Sequence, residues 1–278
     1  MTTVSENRAP SVSPWREKLG KLSVRQSIGL MIITVLIVLG ILAPYLGLSD
    51  PNQSSLDILQ RASASHWFGT DALGRDVFSR VIHGIRVSVL IGFGVGVLGT
   101  VLGVPIGLIA GYARGTIDLF ILQIIDLFVA LPALILALII TAIVGSTAIN
   151  IALVLGFVMW PQMARLVRGQ VIFIRESVYV EAARALGGSP GWIIRQHILP
   201  NAIRLVVAQF SITVAFGIFS SASLSFLGLG VPPPTPDWGT MVREGVQFLA
   251  FSPLMSIAPG AAVTLTVLGF YLLGSKDD

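Results

Sequence analysis

The chain has 278 residues, of which 54% are hydrophobic and only 12% charged, and its mean hydropathy is +0.85. Soluble domains carry about 25% charged residues, so this composition excludes a soluble globular protein and points to a polytopic membrane protein. Cysteine is absent, which excludes a disulfide framework and a thiolate metal site.

Uncharged runs extend from Gln26 to Ser49, Val87 to Ala113, Leu127 to Ala164, Leu205 to Pro236 and Gly245 to Ser275. A spanning helix needs about 20 mainly apolar residues. The first run is too long for the apolar part of a cleaved leader, and no A-x-A site directly follows it. The run from Leu127 to Ala164 is too long for one helix and breaks at "GSTAIN", Gly145 to Asn150, whose residue types favour a turn. The expected fold is therefore all-α, with six spans near 27–48, 88–111, 118–142, 149–165, 206–229 and 252–274.

Along the chain, the segment 49–86 is an expected outer loop. Its His66, Asp71 and Asp76 match no metal-site spacing, and "FGTD" and "LGRD" read as turns closed by Asx-type hydrogen bonds. Trp67 and Phe68 suit an interfacial aromatic belt. In the second span Gly99, Gly103, Gly107 and Gly111 recur every four residues. They lie near one helical face and admit a second helix at backbone contact; a pathway-lining role fits the same face, with Pro105 as a kink point. Asp126, in the third span, is the only charge well inside an expected span. Such a carboxylate is a functional hypothesis by default; a place near the inner headgroups, bonded to a neighbouring helix, is the favoured reading. The segment "PPPTPDW", Pro232 to Trp238, reads as a rigid, extended outer loop.

Orientation follows from the basic residues. With the N-terminus inside, the inner segments hold 13 of the 18 Lys and Arg and the outer segments 5. The positive-inside rule then places both termini in the cytoplasm. It also places the six arginines from Arg165 to Arg204 there, which accounts for the pI near 9.8 without nucleic acid.

Within that basic segment lies "EAARALGG", Glu181 to Gly188. Val178, Ala182 and Ala185 follow helical spacing, as do Tyr179, Ala183 and Leu186. Gly187 is placed to end the helix in a left-handed cap. Ser189-Pro190 is an N-cap with proline at the first helical position. A second short helix, through Trp192 and Ile198, is expected to stop before Pro200. The pair is too short to span. It either docks a partner, with small alanines at the contact and Glu181 and Arg184 at its rim, or lies on the headgroups.

Glu181-Ala182-Ala183, Gly187 four positions later, and Leu199-Pro200 resemble the EAA loop of ABC importer permeases. The general pattern has Ile where His197 stands; "HILPN" is similar to the branch that imports dipeptides, oligopeptides and nickel. "HWFGTDALGRDVFSRVIHGIRVSV", His66 to Val89, resembles the approach to the second helix of that branch's C-type subunits. "SFLGLGVPPPTPDWGTMVREG", Ser225 to Gly245, resembles their last outer loop. The chain departs from the family at Gln123, where an Arg often precedes the acid, and in its short tail "GSKDD".

The resemblance implies the type I ABC importer permease architecture, with a cytoplasmic tail at 1–26, a permease domain at 27–275 and a tail at 276–278. The outer loop at 49–86 and a coupling loop at 166–205 belong to that domain. It also implies ATPase docking through Glu181, Ala182, Ala183, Arg184, Gly187, Leu199 and Pro200. Gly99, Gly103, Gly107, Gly111 and Asp126 are the residues for helix packing or the pathway. The implied partners are a second permease subunit, two ATPase subunits, an extracytoplasmic binding protein and bacterial inner-membrane lipid. No cofactor or metal is implied for this chain; ATP and magnesium belong to the ATPases. No G-x-x-x-x-G-K-[ST] occurs, since "GKLS" at Gly20 lacks the upstream glycine and the hydroxyl after lysine. A secondary transporter would need coupling carboxylates at mid-membrane, where only Asp126 stands. An intramembrane hydrolase would need a nucleophile–base pair, whereas His66, His83 and His197 fall at edges or in loops.

Overall fold

The computed structural model describes residues 23–275; the expected tails at 1–22 and 276–278 lie outside the described residues. Helix α1, Val24–Leu42, starts in a capping box: Ser23 Oγ accepts from Gln26 N–H, and Gln26 Oε1 accepts from Ser23 N–H, each at 3.2 Å. Gln26 Nε2 also donates to Ser275 O at 3.2 Å, tying α1 to the end of α10, Leu254–Gly274.

Helix α2 runs from Val77 to Ala113 and begins eleven residues before the expected span. Asp76 starts it by accepting from Ser79 N–H at 2.7 Å. The expectation ended at Arg86 because a charge ends an apolar run. Here the charges meet carbonyls: Arg80 donates to Pro51 O at 2.7 Å, and Arg86 to Gly40 O at 2.7 Å and Ile41 O at 3.0 Å. The helix therefore continues beyond the expected span.

The expected third span is two helices, α3, Gly115–Ala130, and α4, Ala133–Val144, which meet at 83°. Pro132 causes the break, because its ring disfavours helical geometry at the preceding residue; Leu131 is extended, with φ −89° and ψ 133°. Among the described residues, five other helices are long and apolar enough to cross a membrane, and the bent pair makes six if counted as one. The turn expected at Gly145 to Asn150 is present. Gly145 adopts φ +94°, and Thr147 caps α5, Ala148–Arg175, by accepting from Asn150 N–H at 3.2 Å.

Helices α6, Val178–Ala185, and α7, Pro190–Ile193, follow. The expected stop before Pro200 does not occur. A π turn over Ile194–Ile198 leads directly into α8, Leu199–Leu224. The wider turn absorbs the missing N–H and bulky ring of Pro200, so the span expected at 206–229 starts earlier. After a second π turn at Ser225–Leu229 the chain forms α9, Trp238–Val246. Only Pro232 to Pro234 of "PPPTPDW" are exposed; Trp238 is buried and donates from Nε1 to Val81 O at 2.9 Å.

Two ends result. One is a cap in which Val77, Val81, Trp238, Met241 and Met255 pack with Leu48, Leu59 and Phe68. Trp67 stays exposed and meets Phe78 at a tilt of 48°, their ring centroids 4.8 Å apart. The other end gathers the starts of α1, α3 and α8, the ends of α2, α5 and α10, and α6 with α7.

Candidate coupling and translocation site

The α6–α7 hairpin is closed by a Schellman turn. Gly188 N–H donates to Ala183 O and Gly187 N–H to Arg184 O, both at 3.0 Å. Gly187 has φ +85°, a conformation that glycine adopts without steric penalty. Ser189 Oγ then accepts from Trp192 N–H at 3.4 Å. Of the two helical rows seen in the sequence, neither is wholly the inner face; Val180 and Ala183 point inward, and Val178, Ala182, Ala185 and Leu186 are exposed. Glu181 and Arg184 are also exposed, without ion-pair partners among the described residues. Acid in the first turn and base in the last both suit the helix dipole.

The hairpin's inner face joins one apolar cluster. Val180, Ile193 and Ile198 pack with Met163, Val167, Val171 and Ile174 of α5, with Ala202 and Val206 of α8, and with Val104 and Leu108 of α2. Leu199 and Pro200 sit half-buried at the junction with α8. Arg175, buried at the end of α5, donates from Nη1 to Gly111 O at 2.6 Å and closes the last turn of α2. Nothing in the sequence marked Arg175 for this, because its partner is a backbone carbonyl 64 residues away.

The glycine row of α2 seats largely on α5. A Cβ at Gly103 would lie 2.6 Å from Met163 Cβ, at Gly107 2.6 Å from Ala164 O, and at Gly111 2.6 Å from Val171 Cβ. Gly99 differs, with its nearest neighbour, Thr213 Cγ2, at 3.6 Å.

Asp126 pairs with Arg165 Nη2 across α3 and α5. The missing Arg at position 123 is thus replaced by an arginine on another helix, 39 residues on, which no local spacing reveals. A second pair, Asp118 with Arg168, is bidentate at 2.6 and 2.8 Å. Beside Arg165 a cavity of about 370 Å³ is lined by Gln162, Leu166, Val129 and Gln209. A larger groove of about 810 Å³, among α8, α9 and α10, offers Ser223, Thr264 and Tyr271 as hydroxyls beside residues such as Phe226 and Leu268, and no charged group.

The acids at the capped end are engaged in structure. Asp71 accepts from Leu73 N–H at 2.8 Å, as an Asx turn, and from Arg75 Nε at 2.6 Å. Asp76 Oδ2 faces His66 Nδ1 at 2.7 Å. Asp237, the N-cap of α9, accepts from Thr240 N–H at 3.1 Å and Ser225 Oγ–H at 2.9 Å. Burial pushes its carboxyl above the ordinary carboxylate range, against the pull of those hydrogen bonds.

The family model "Binding-protein-dependent transport system inner membrane component" matches residues 103–275. Among curated proteins, the chain is 40% identical to the "Dipeptide transport system permease protein DppC" of Alkalihalophilus pseudofirmus, covering 97% of this chain and 90% of that one. It is 38% identical to the "Glutathione transport system permease protein GsiD" of Pectobacterium atrosepticum, covering 94% of this chain and 88% of that one. Among solved structures, an inward-facing form of the MetNI methionine ABC transporter matches with a TM-score of 0.58 at 23% identity, over 70% of this chain and 92% of that one; that likeness bears on the fold alone. The match to the family model and near-full-length likeness to two transport permeases leave no place for the secondary-transporter alternative. The chain belongs to the family of binding-protein-dependent transport system inner membrane components, and it is a permease subunit of an ABC importer, not itself an enzyme.

Proposed function

We propose that this chain forms one half of the membrane pathway of an ATP-driven importer for peptides or similar small solutes, beside a second, homologous permease subunit. The relatives named for dipeptide and for glutathione, both short peptides, support the substrate class. One observation carries the mechanism: the α6–α7 hairpin presents Glu181, Ala182, Arg184 and Ala185 outward beside exposed Val178 and Leu186, while its inner face is shared with α2, α5 and α8. Two ATPase subunits that bind ATP and magnesium grip this hairpin as they close. Glu181, Ala182 and Arg184 form the rim, Ala183 faces inward, and Gly187 makes the turn. Leu199 and Pro200 pass the movement into α8. An extracytoplasmic binding protein delivers the solute to the opposite, capped end, and the basic hairpin end and both termini face the cytoplasm of a bacterial inner membrane. In domain terms, 27–275 is the permease unit, with 49–86 outside and 166–205 as the coupling segment.

Two variants in the complete transporter test this. Valine at Gly187 costs about 1–2 kcal/mol in the left-handed region, and Glu181→Lys reverses the charge at the rim. Both are expected to abolish uptake and weaken co-purification of the ATPase at normal membrane levels of this chain. A hairpin that merely lies on anionic headgroups would gain membrane contact from Glu181→Lys. Unchanged uptake and co-purification in both variants removes the coupling role.

A further inference from the structure

We infer that Asp126, Arg165 and the cavity beside them form a polar station on the translocation path that receives the amine and carboxylate ends of a zwitterionic, peptide-like solute. The inference rests on the peptide-permease reading. The geometry sets this pair apart from its neighbour. Asp118 and Arg168 saturate each other through two hydrogen bonds and are 17% and 22% exposed. Asp126 and Arg165 share a single contact, Oδ1 to Nη2, and remain 58% and 46% exposed. Asp126 Oδ2 and the other N–H groups of Arg165 have no partner among the described residues. The first pair pins α3 to α5; the second is left open.

Its position requires that something polar meet it. Asp126 lies about 16 Å along α3 and Arg165 about 25 Å along α5, at ~1.5 Å per residue. Charged groups within apolar spanning helices are disfavoured against hydrocarbon and face protein or a water-filled space. Here the space is present and concave, about 370 Å³, and α3, α5 and α8 all reach it through Val129, Gln162, Arg165, Leu166 and Gln209. Ligand cavities begin near 300 Å³. The amides of Gln162 and Gln209 also lack partners among the described residues.

The chemistry selects the solute. The planar guanidinium of Arg165 matches a carboxylate through paired N–H donors, Asp126 accepts from an ammonium, and the two glutamines offer donors and acceptors to a peptide group. In the empty site the pair neutralises itself, so a zwitterion exchanges one ion pair for two without stranding a charge. No single-charged solute can do so. Such exchange binds weakly, as a station that must also release its cargo requires.

The complete transporter in proteoliposomes, with radiolabelled alanyl-alanine as the probe, tests the station. Asp126→Asn and Arg165→Gln are each expected to lower uptake at least tenfold at matched amounts of assembled transporter, and the double variant to stay as low. A merely structural pair behaves otherwise: with both partners neutral no charge is left stranded, so recovery in the double variant overturns the station. Because the chain has no cysteine, Gln162→Cys and Gln209→Cys report the cavity directly. Both should react with a water-soluble methanethiosulfonate in the assembled transporter, and more slowly when alanyl-alanine and the binding protein are saturating. Absence of reaction means that the partner permease covers this face, and it too overturns the station. If the wild-type transporter imports neither alanyl-alanine nor any other of a dipeptide panel, the peptide reading itself fails and the station with it; normal wild-type uptake confines any failure to the station.

Discussion

At the scale of residues, close approach and burial decide what can be changed. Gly107→Leu places a side chain where even a Cβ would come within 2.6 Å of Ala164 O and 2.8 Å of Val167 Cβ. The backbone carbonyl cannot step aside, so overpacking of about 1–3 kcal/mol is expected. Gly99→Ala, with 3.6 Å to its nearest neighbour, should leave the thermal midpoint in detergent unchanged, and a scan of both variants checks the contrast. Asp237 supplies a pH test. Its folded carboxyl titrates above the usual range because burial penalises the charge. The native state thus holds its proton more tightly than the unfolded chain, and stability falls as pH rises from the ordinary carboxylate range towards the raised value. Asp237→Asn lacks that penalty. Its thermal midpoint relative to the parent should therefore improve as pH rises above the ordinary carboxylate range, whereas Asp237→Ala loses the cap, about 1 kcal/mol, at every pH.

At the scale of elements, helix ends hold the proposed coupling hairpin in place. The Schellman turn at Gly187 and Gly188 was legible because a glycine pair after a short periodic run has few other uses. The tie between α5 and α2 was not, since an arginine that donates to Gly111 O leaves no mark at either position. Arg175→Met should expose that gap. It leaves a buried carbonyl without a donor, a loss of about 1–3 kcal/mol, and frees the end of α2 from the element that contacts the hairpin. The measurement is paired: a lower thermal midpoint together with reduced ATPase co-purification, while Arg195→Met, at an exposed position, changes neither.

At the scale of the whole molecule, the bundle has a capped end and a hairpin end, and membrane orientation is the property to measure. In intact cells Ser54→Cys, on the exposed cap loop, should react with an impermeant thiol reagent, and Ser189→Cys, on the hairpin, should react only after permeabilisation. Labelling of Ser189→Cys from outside would falsify the inward placement of the hairpin. Purified without partners, the chain should hydrolyse no ATP, because its sequence has no phosphate-cradling loop; hydrolysis that survives removal of contaminating ATPases contradicts this.

The sequence by itself determined the class, the approximate spans, the hairpin and the family, because hydropathy, basic residues and cap chemistry are local properties that need no neighbour. Only the tertiary structure decided the 83° bend at Pro132 as an angle between packed helices, the continuation of α2 into the cap and the passage of the π turn through Pro200. It alone also decided the choice of Arg165 as partner for Asp126. Each of these depends on which carbonyl, carboxylate or helix face lies opposite a given side chain. That opposition is set by packing between segments tens of residues apart, which spacing along the chain does not record.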